Sequence, residues 1–347
     1  MSNPGLGDLP APPGKVTGWP WTKESKGHSD VMPNGNPWPK ISIVTPSYNQ
    51  GEFIEETIRS VLLQGYPNLE YIVIDGGSTD NSKKILRKYR TFFTYWVSEK
   101  DRGQSHALNK GFKVASGEIL AWLNSDDFYL PDVLFSVAIA FVDNPEAGLV
   151  IGKCEVQDDN GNRFPRYPNY ERRDYEIAIR AYSTWDHFPQ PSTFFRKRVF
   201  EEVGAFNEKL HYTMDLDYWI RIFKSGFSAG SIDQVLSIYR LHDCSKTVAT
   251  GNLMAEQTFS VIKSHCGTPF EKGWWSRWHN CRRYESGHHV RLSRQAFSDG
   301  EVLSGLWYFV LSFKWPPEAL RSWVWVRLGH NLGPRRKFRR LMEWFRS

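Results

Sequence analysis

Apolar positions fall into short runs separated by polar loops. Ile41-Ser42-Ile43-Val44-Thr45 alternates with the period of two expected of a strand. Between Glu52 and Gln64, Phe53, Ile54, Ile58, Val61 and Leu62 share one helical face, and Gly65-Tyr66-Pro67 ends that helix. Leu69 to Ile74 predicts a second strand, meeting Asp75. A short helix follows from about Ser82 to Tyr89, then a strand from Phe93 to Val97 and a helix from Ser105 to Val114. Ile119 to Leu123 is a fourth strand. Further on, helices are expected at Asp132–Val142 and Met214–Lys224, and strands at Gly148–Val156, Thr193–Phe195 and Ser231–Tyr239. This strand–helix alternation predicts an α/β fold, a Rossmann-like, mostly parallel sheet with helices on both faces. The polar loops up to Asp127 follow strand carboxyl ends, the edge at which open α/β sheets bind ligands.

The texture changes after Ser245. Helical patterns take over, and eight of the chain's 15 Trp lie beyond residue 270. The expected organisation is a flexible N-terminal lead at 1–38, a catalytic domain at 39–246, and a C-terminal helical, Trp-rich, basic region at 247–347. The lead is rich in Pro and Gly and has no apolar h-region, so it reads as neither a signal peptide nor a membrane span, but as a flexible segment or a strap over the surface. The net charge of +6 is uneven: residues 271–347 hold 15 Lys and Arg against 6 Asp and Glu, or +9, leaving −3 for the rest. An acidic partner for the tail follows. Phe338, Leu341, Met342 and Phe345 form a stripe bordered by Arg335, Arg336, Lys337, Arg339 and Arg340. That pattern suits an interfacial helix on an anionic membrane, and equally a helix docked on the protein with a solvated basic face. Val302 to Phe313 is too short to span a bilayer, which needs ~20 residues. The four cysteines have no Cys-x-x-Cys spacing and suggest a reduced compartment. The tail's Cys and His residues match no common zinc pattern.

Asn124-Ser125-Asp126-Asp127 follows the fourth strand directly. Adjacent carboxylates beside a core call for a cation or strong donors. A divalent metal carrying a phosphorylated ligand answers that need, and Mn2+ or Mg2+ favours such oxygens. The alternative is that Asp127 simply starts a turn as a helix cap. The loop Thr45-Pro46-Ser47-Tyr48-Asn49-Gln50 offers hydroxyls, an aromatic ring and an amide that could hold a base and ribose. Tyr48 as ordinary packing is the competing reading. No G-x-G-x-x-G and no Walker A sequence is present.

Four ordered motifs, T-P-S-Y-N-Q-G, V-I-D-G-G-S-T-D, D-R-G-Q-S-H-A-L-N-K-G and A-S-G-E-I-L-A-W-L-N-S-D-D, together resemble the family 2 glycosyltransferases of the GT-A fold. The resemblance runs from about Lys40 to Thr247 and continues through G-A-F-N-E at 204–208, M-D-L-D at 214–217 and Y-R-L-H-D at 239–243. It implies a hexosyltransferase-type enzyme that moves a sugar from a nucleotide-diphosphate donor to a hydroxyl acceptor with inversion. Asn124-Ser125-Asp126-Asp127 takes the place of the family's D-x-D motif, with Asp126 the metal-bridging carboxylate, Asp127 beside it and His242 completing the shell. Thr45, Pro46, Tyr48, Asn49 and Asp75 match the nucleotide pocket, with Arg102, Asn124 and Ser125 toward the ribose and diphosphate. Two departures stand out: Asn124 where many relatives carry Asp, and Gly76 where many carry a second Asp that reads uracil.

By the same resemblance Asp215 takes the general-base position. Residues i and i+2 of a helix are turned by about 200°, so only one of Asp215 and Asp217 can face the cleft. Asp215 is favoured; Asp217 caps or pairs with Arg221. His187 and Gln190 fall where relatives meet the acceptor. The expected partners are a UDP-sugar, with GDP- and dTDP-sugars as alternatives, and a glycan, polysaccharide or lipid-linked acceptor. No nucleic acid is expected. The expected location is cytoplasmic, peripheral to the inner face of a membrane through the tail. Two other classes compete: a nucleotidyltransferase, which would need a Gly-rich basic first loop, and a non-enzymatic binding protein built on the tail, which leaves the acidic cluster unexplained.

Overall fold

The computed structural model describes residues 4–165, 188–242, 245, 251–265, 289, 292, 293, 296 and 301–312. The chain divides into two compact units, Met1–Val261 and Ile262–Ser347.

The first unit is built on one nine-stranded sheet: β1 (Ile41–Ser47), β2 (Leu69–Asp75), β3 (Tyr95–Ser98), β4 (Ile119–Trp122), β5 (Phe128–Tyr129), β6 (Ala147–Gln157), β7 (Arg163–Pro165), β8 (Thr193–Arg196) and β9 (Ser228–Arg240). The order is β3-β2-β1-β4-β8-β6-β9-β5, with β7 paired to β6. Strands β3, β2, β1 and β4 are parallel, as the alternation predicts. β8 enters antiparallel between β4 and β6, so the sheet as a whole is mixed. β1 and β4 are buried along their whole length; β4 accordingly reads as an apolar run, while β1 buries Ser42, Thr45 and Ser47 as well.

The helices are α1 (Ile54–Leu62), α2 (Ser82–Tyr89), α3 (Gln104–Val114), α4 (Val133–Asp143), α5 (Lys197–Val203), α6 (Met214–Lys224), α7 (Gly251–His265) and α8 (Val302–Ser312). α1 buries Ile54, Ile58, Val61 and Leu62 completely or nearly so, each contributing about 1.5–3 kcal/mol. α3 lies close on the sheet: a Cβ at Gly111 would come 2.4 Å from Val44 Cγ1. Gln64 accepts the N–H groups of Val133 (2.9 Å) and Leu134 (3.4 Å), capping α4 from the end of α1.

Residues 4–38 are not a free lead. Leu9, Met32 and Trp38 are buried in the first unit's core. The buried Arg59 donates to the carbonyls of Pro10 (2.8 Å), Pro20 (3.0 Å) and Trp21 (3.1 Å). Trp19 Nε1 donates to Tyr129 O at 2.7 Å. Pro and Gly make the segment irregular, but one buried guanidinium binds three of its carbonyls and, with the buried Leu9, Met32 and Trp38, fixes it as a strap.

In the second unit, Leu303, Leu306 and Trp307 of α8 are exposed. Among the described residues no helix is long and apolar enough to cross a membrane. The basic stripe at 335–345 lies outside the described residues.

Candidate active site

The acidic turn is placed by strand register. Leu123 N donates to Val44 O at 3.0 Å, and Asp127 N closes the turn on Asn124 O at 3.1 Å. β5 then pairs antiparallel with β9, Phe128 opposite Ile238. Carried two residues outward, that register sets Asp126 against Arg240 and brings His242 to the turn. His242 Nε2 lies 3.2 Å from Asp126 Oδ2, and the Phe53 ring backs the imidazole at 4.4 Å between centroids. Beneath, Thr57 Oγ1 sits 3.0 Å from Ser125 O and 2.7 Å from Asp127 O, sharing its proton between them. Ser125 is buried in this arrangement.

Asp127 is turned the other way. It is fully buried, and its carboxylate accepts from Arg240 N (3.1 Å) and Asn124 Nδ2 (3.4 Å). Burial, with the Asp126 charge alongside, pushes its carboxyl well above the usual carboxylate range. Asp127 therefore orients the loop from within, and the two side chains that face each other at the turn are Asp126 and His242. A carboxylate oxygen beside an imidazole nitrogen suits a first-row ion such as Mn2+ better than Mg2+, which prefers all-oxygen shells.

The nucleotide-side residues sort by exposure. Tyr48 follows β1 directly and is 59% exposed. Asn49, in the left-handed region at φ 52°, is also exposed; its Oδ1 accepts Thr79 N at 2.8 Å and its own N–H donates to Ser78 Oγ at 2.8 Å. Those bonds lace the β1 loop to the β2 loop. Thr45 and Pro46 are buried, and the Thr45 hydroxyl is paired with Tyr71 OH at 3.1 Å. Asp75 is fully buried too. Its carboxylate accepts from Ser78 N (3.0 Å), Gly77 N (3.2 Å), Ser98 Oγ (2.5 Å) and Ser78 Oγ. The polar atoms of Thr45 and Asp75 are thus committed to partners within the protein.

Arg102 is exposed but engaged: Nε and Nη2 both reach Glu208 Oε2, at 2.9 and 2.6 Å. Asn124 sits in a chain of amides. Gln104 Nε2 donates to Asn124 Oδ1 (2.7 Å), Asn124 Nδ2 to Gln190 Oε1 (3.0 Å), and Gln190 Nε2 to Trp122 O (2.8 Å). An aspartate at 124 would present an acceptor to the Gln190 acceptor, which accounts for the amide here. Gln190 is therefore committed to the wall beside Asn124. His187 lies outside the described residues.

α6 reaches the same edge through α3: Ser105 Oγ lies 3.1 Å from Met214 Sδ and 3.2 Å from Leu210 O. Trp219 stacks on Trp122 at 5.2 Å, seating α6 beneath β4. Asp217 is buried and accepts from Arg221 Nε at 2.9 Å. Arg221 also binds the carbonyls of Val203 and Ala205. Asp215 is half-buried, and its Oδ1 accepts Leu216 N at 2.8 Å.

Arg240 was not legible as a site residue. Its guanidinium donates to Asp126 O at 2.9 Å, pairs with Glu56, and lies over the Phe128 ring at 4.6 Å. The signal available was its place two residues before His242 in Y-R-L-H-D.

Comparison with known proteins finds glycosyltransferases. The profile described as Glycosyl transferase family 2 matches residues 42–204. The putative teichuronic acid biosynthesis glycosyltransferase TuaG of Bacillus subtilis is 30% identical over 211 residues, 58% of this chain and 79% of that protein. An uncharacterized glycosyltransferase of Rickettsia conorii is 32% identical over 195 residues, 53% of this chain. The chain spans only 31% of that relative's length. Among solved structures, S. aureus TarS residues 1–349 in complex with UDP-GlcNAc superposes with a TM-score of 0.56 at 19% identity, covering 81% of this chain and 82% of that one. The mannosyltransferase PcManGT of Pyrobaculum calidifontis, in complex with GDP-Man and Mn2+, gives 0.51 at 19% identity, covering 83% and 89%.

Proposed function

This chain belongs to the family 2 glycosyltransferases, and from that premise we propose a metal-dependent, inverting transfer of a sugar from a nucleoside-diphosphate donor to a hydroxyl acceptor. The observation that carries the reading is the Asp126 carboxylate facing His242 Nε2 at 3.2 Å, on the sheet's carboxyl edge. These two side chains would hold a divalent ion, Mn2+ before Mg2+. When bound, the ion supplies Lewis-acid neutralisation of the departing diphosphate.

The chain's own residues do the rest. Tyr48 offers its exposed ring to the base. The N-terminus of α3 favours negative charge at the diphosphate. Asp215 takes the acceptor's hydroxyl proton as that oxygen bonds the anomeric carbon. The carbon's bond to the diphosphate oxygen breaks with its electron pair, so the configuration inverts in one displacement. Arg240 and Thr57 keep the Asp126 backbone in place, which matters because small misplacements are costly.

The B. subtilis relative is named for teichuronic acid biosynthesis, which supports a glycan acceptor, free or lipid-linked. The basic tail supports a cytoplasmic enzyme working at an anionic membrane surface. The test is a panel of UDP-, GDP- and dTDP-sugars with Mn2+ or Mg2+, following hydrolysis and transfer by mass. Release of nucleoside diphosphate from none of them would overturn the reading.

A further inference from the structure

One carboxylate at this edge has no part in the chemistry above. Asp101 follows β3, in the turn that opens α3. Its Oδ1 accepts the N–H of Gly103 at 2.8 Å, and among the described residues its Oδ2 has no hydrogen bond. That second oxygen is held over Gly76. A Cβ at position 76 would lie 2.6 Å from Oδ2 and 2.9 Å from Asp101 Cγ. A side chain there would collide with the carboxylate, so glycine at 76 is what admits Asp101.

Gly76 is itself fixed, its N–H donating to Ser47 O at 2.8 Å. Ser47 and Asp75 are register partners on β1 and β2. The residues that follow them, Tyr48 and Gly76, leave neighbouring strands about 4.8 Å apart. An exposed aromatic ring and an open carboxylate oxygen are thereby brought to one mouth of the sheet. The other carboxylate nearby, Asp75, is spent on Ser78, Gly77 and Ser98.

We infer that Asp101 is the base-discriminating residue of the donor site, its Oδ2 accepting a ring N–H of the nucleobase while Tyr48 lies against the base. This rests on the nucleotide-sugar reading above. An ionised carboxylate only accepts hydrogen bonds. Uracil, thymine and guanine present a ring N–H between polar groups on the pairing edge. Cytosine and adenine present a ring-nitrogen lone pair there, which a carboxylate repels. The site therefore selects uridine, thymidine or guanosine diphosphate donors by attraction and rejects cytidine and adenosine donors by repulsion. Asp101 thus does by position what a side chain at 76 is prevented from doing.

The experiment is calorimetric binding of UDP, dTDP, GDP, CDP and ADP to the full chain with Mn2+. Wild type should bind at least one of the first three roughly 10-fold or more tighter than CDP and ADP. Asp101→Ala should lose that margin, weakening the preferred nucleotide by about 10-fold or more while changing CDP and ADP by under about 3-fold. Gly76→Ala keeps the carboxylate but displaces it, and should reproduce the loss; thermal unfolding of both variants checks that they fold. Undiminished discrimination in folded Asp101→Ala overturns this inference alone. Equal binding of all five by wild type does the same. Binding of none of them by wild type overturns the donor reading and this inference with it.

Discussion

Asp126 Oδ2 and His242 Nε2 stand 3.2 Å apart although 116 residues separate them in the chain. The β5–β9 pairing makes the contact, and Arg240 locks it by binding the Asp126 carbonyl from the same strand that delivers His242. The fold itself thus sets this pair.

The first prediction follows from that pair. Asp126→Ala abolishes transfer, and so does excess EDTA on wild type. His242→Ala raises the Mn2+ concentration needed for half-maximal activity by about 10-fold or more. A metal titration of product formation checks both. Full turnover in EDTA would show that the Asp126–His242 contact serves packing alone.

The two helix carboxylates should separate cleanly. Asp215→Asn keeps shape and removes basicity, so turnover falls by roughly 10² or more with donor binding nearly unchanged. Asp217→Asn loosens Arg221, which also holds the Val203 and Ala205 carbonyls. It lowers the unfolding midpoint more than it lowers turnover. The opposite pattern in steady-state kinetics would exchange the two roles. A product that keeps the donor's anomeric configuration would exclude single displacement.

Much of this site is legible in the chain because buried parallel strands write themselves as apolar runs. Asp126 stands out just beyond such a run, whereas Tyr48 is marked only by the T-P-S-Y-N-Q motif and its resemblance. What escapes is set by long-range geometry. Asp127 reads as a twin of Asp126, yet Asp126 lies in the turn that Asp127 N closes on Asn124 O, and the Asp127 carboxylate turns into the core to accept Arg240 N. Arg102 reads as a phosphate ligand, but Glu208, 106 residues on, occupies it. Residues 4–38 leave lead and strap equally open because proline and glycine give no period; the arginine that decides for the strap sits in α1 and carries no local signal.

The basic stripe is tested by truncation after Gly333. Five Lys and Arg residues between 335 and 340 contribute about 1 kcal/mol each near an anionic surface. Full-length protein should co-sediment with anionic vesicles in low salt and release as salt rises. The truncated chain should bind less while hydrolysing donor normally. Equal co-sedimentation of the two would assign the stripe to packing on the protein.

Glu70 sets a pH limit on stability. Although burial opposes its charge, bonds from Ser42, from Ser116 through hydroxyl and amide, and from Lys40 lower its carboxyl from 4.5 to about 2. A depressed acid stabilises the fold above its unfolded value, and that contribution fades as pH falls from 4.5 toward 2. Glu70→Gln should cost about 1–2 kcal/mol at neutral pH after solvent screening. Urea unfolding at pH 7 and pH 3 checks the sign: the gap between wild type and variant must narrow at pH 3.

Arg59 is the strongest test of the strap. Its guanidinium is 1% exposed and satisfies three carbonyls of residues 10–21 as well as Tyr89 OH. Arg59→Met keeps the aliphatic stem but leaves those carbonyls without a donor, at a cost of about 3 kcal/mol or more. Arg59→Lys recovers only part, because an ammonium cannot span the fork the carbonyls present. The loss should fall on the strap first, since nothing else among the described hydrogen bonds holds the Pro10 and Pro20 carbonyls. Limited proteolysis should therefore cut near residues 10–22 in Arg59→Met before the sheet unfolds. A variant that unfolds in one step, with no early cut, would show that the strap is bound by its apolar contacts at Leu9, Met32 and Trp38 rather than by the arginine.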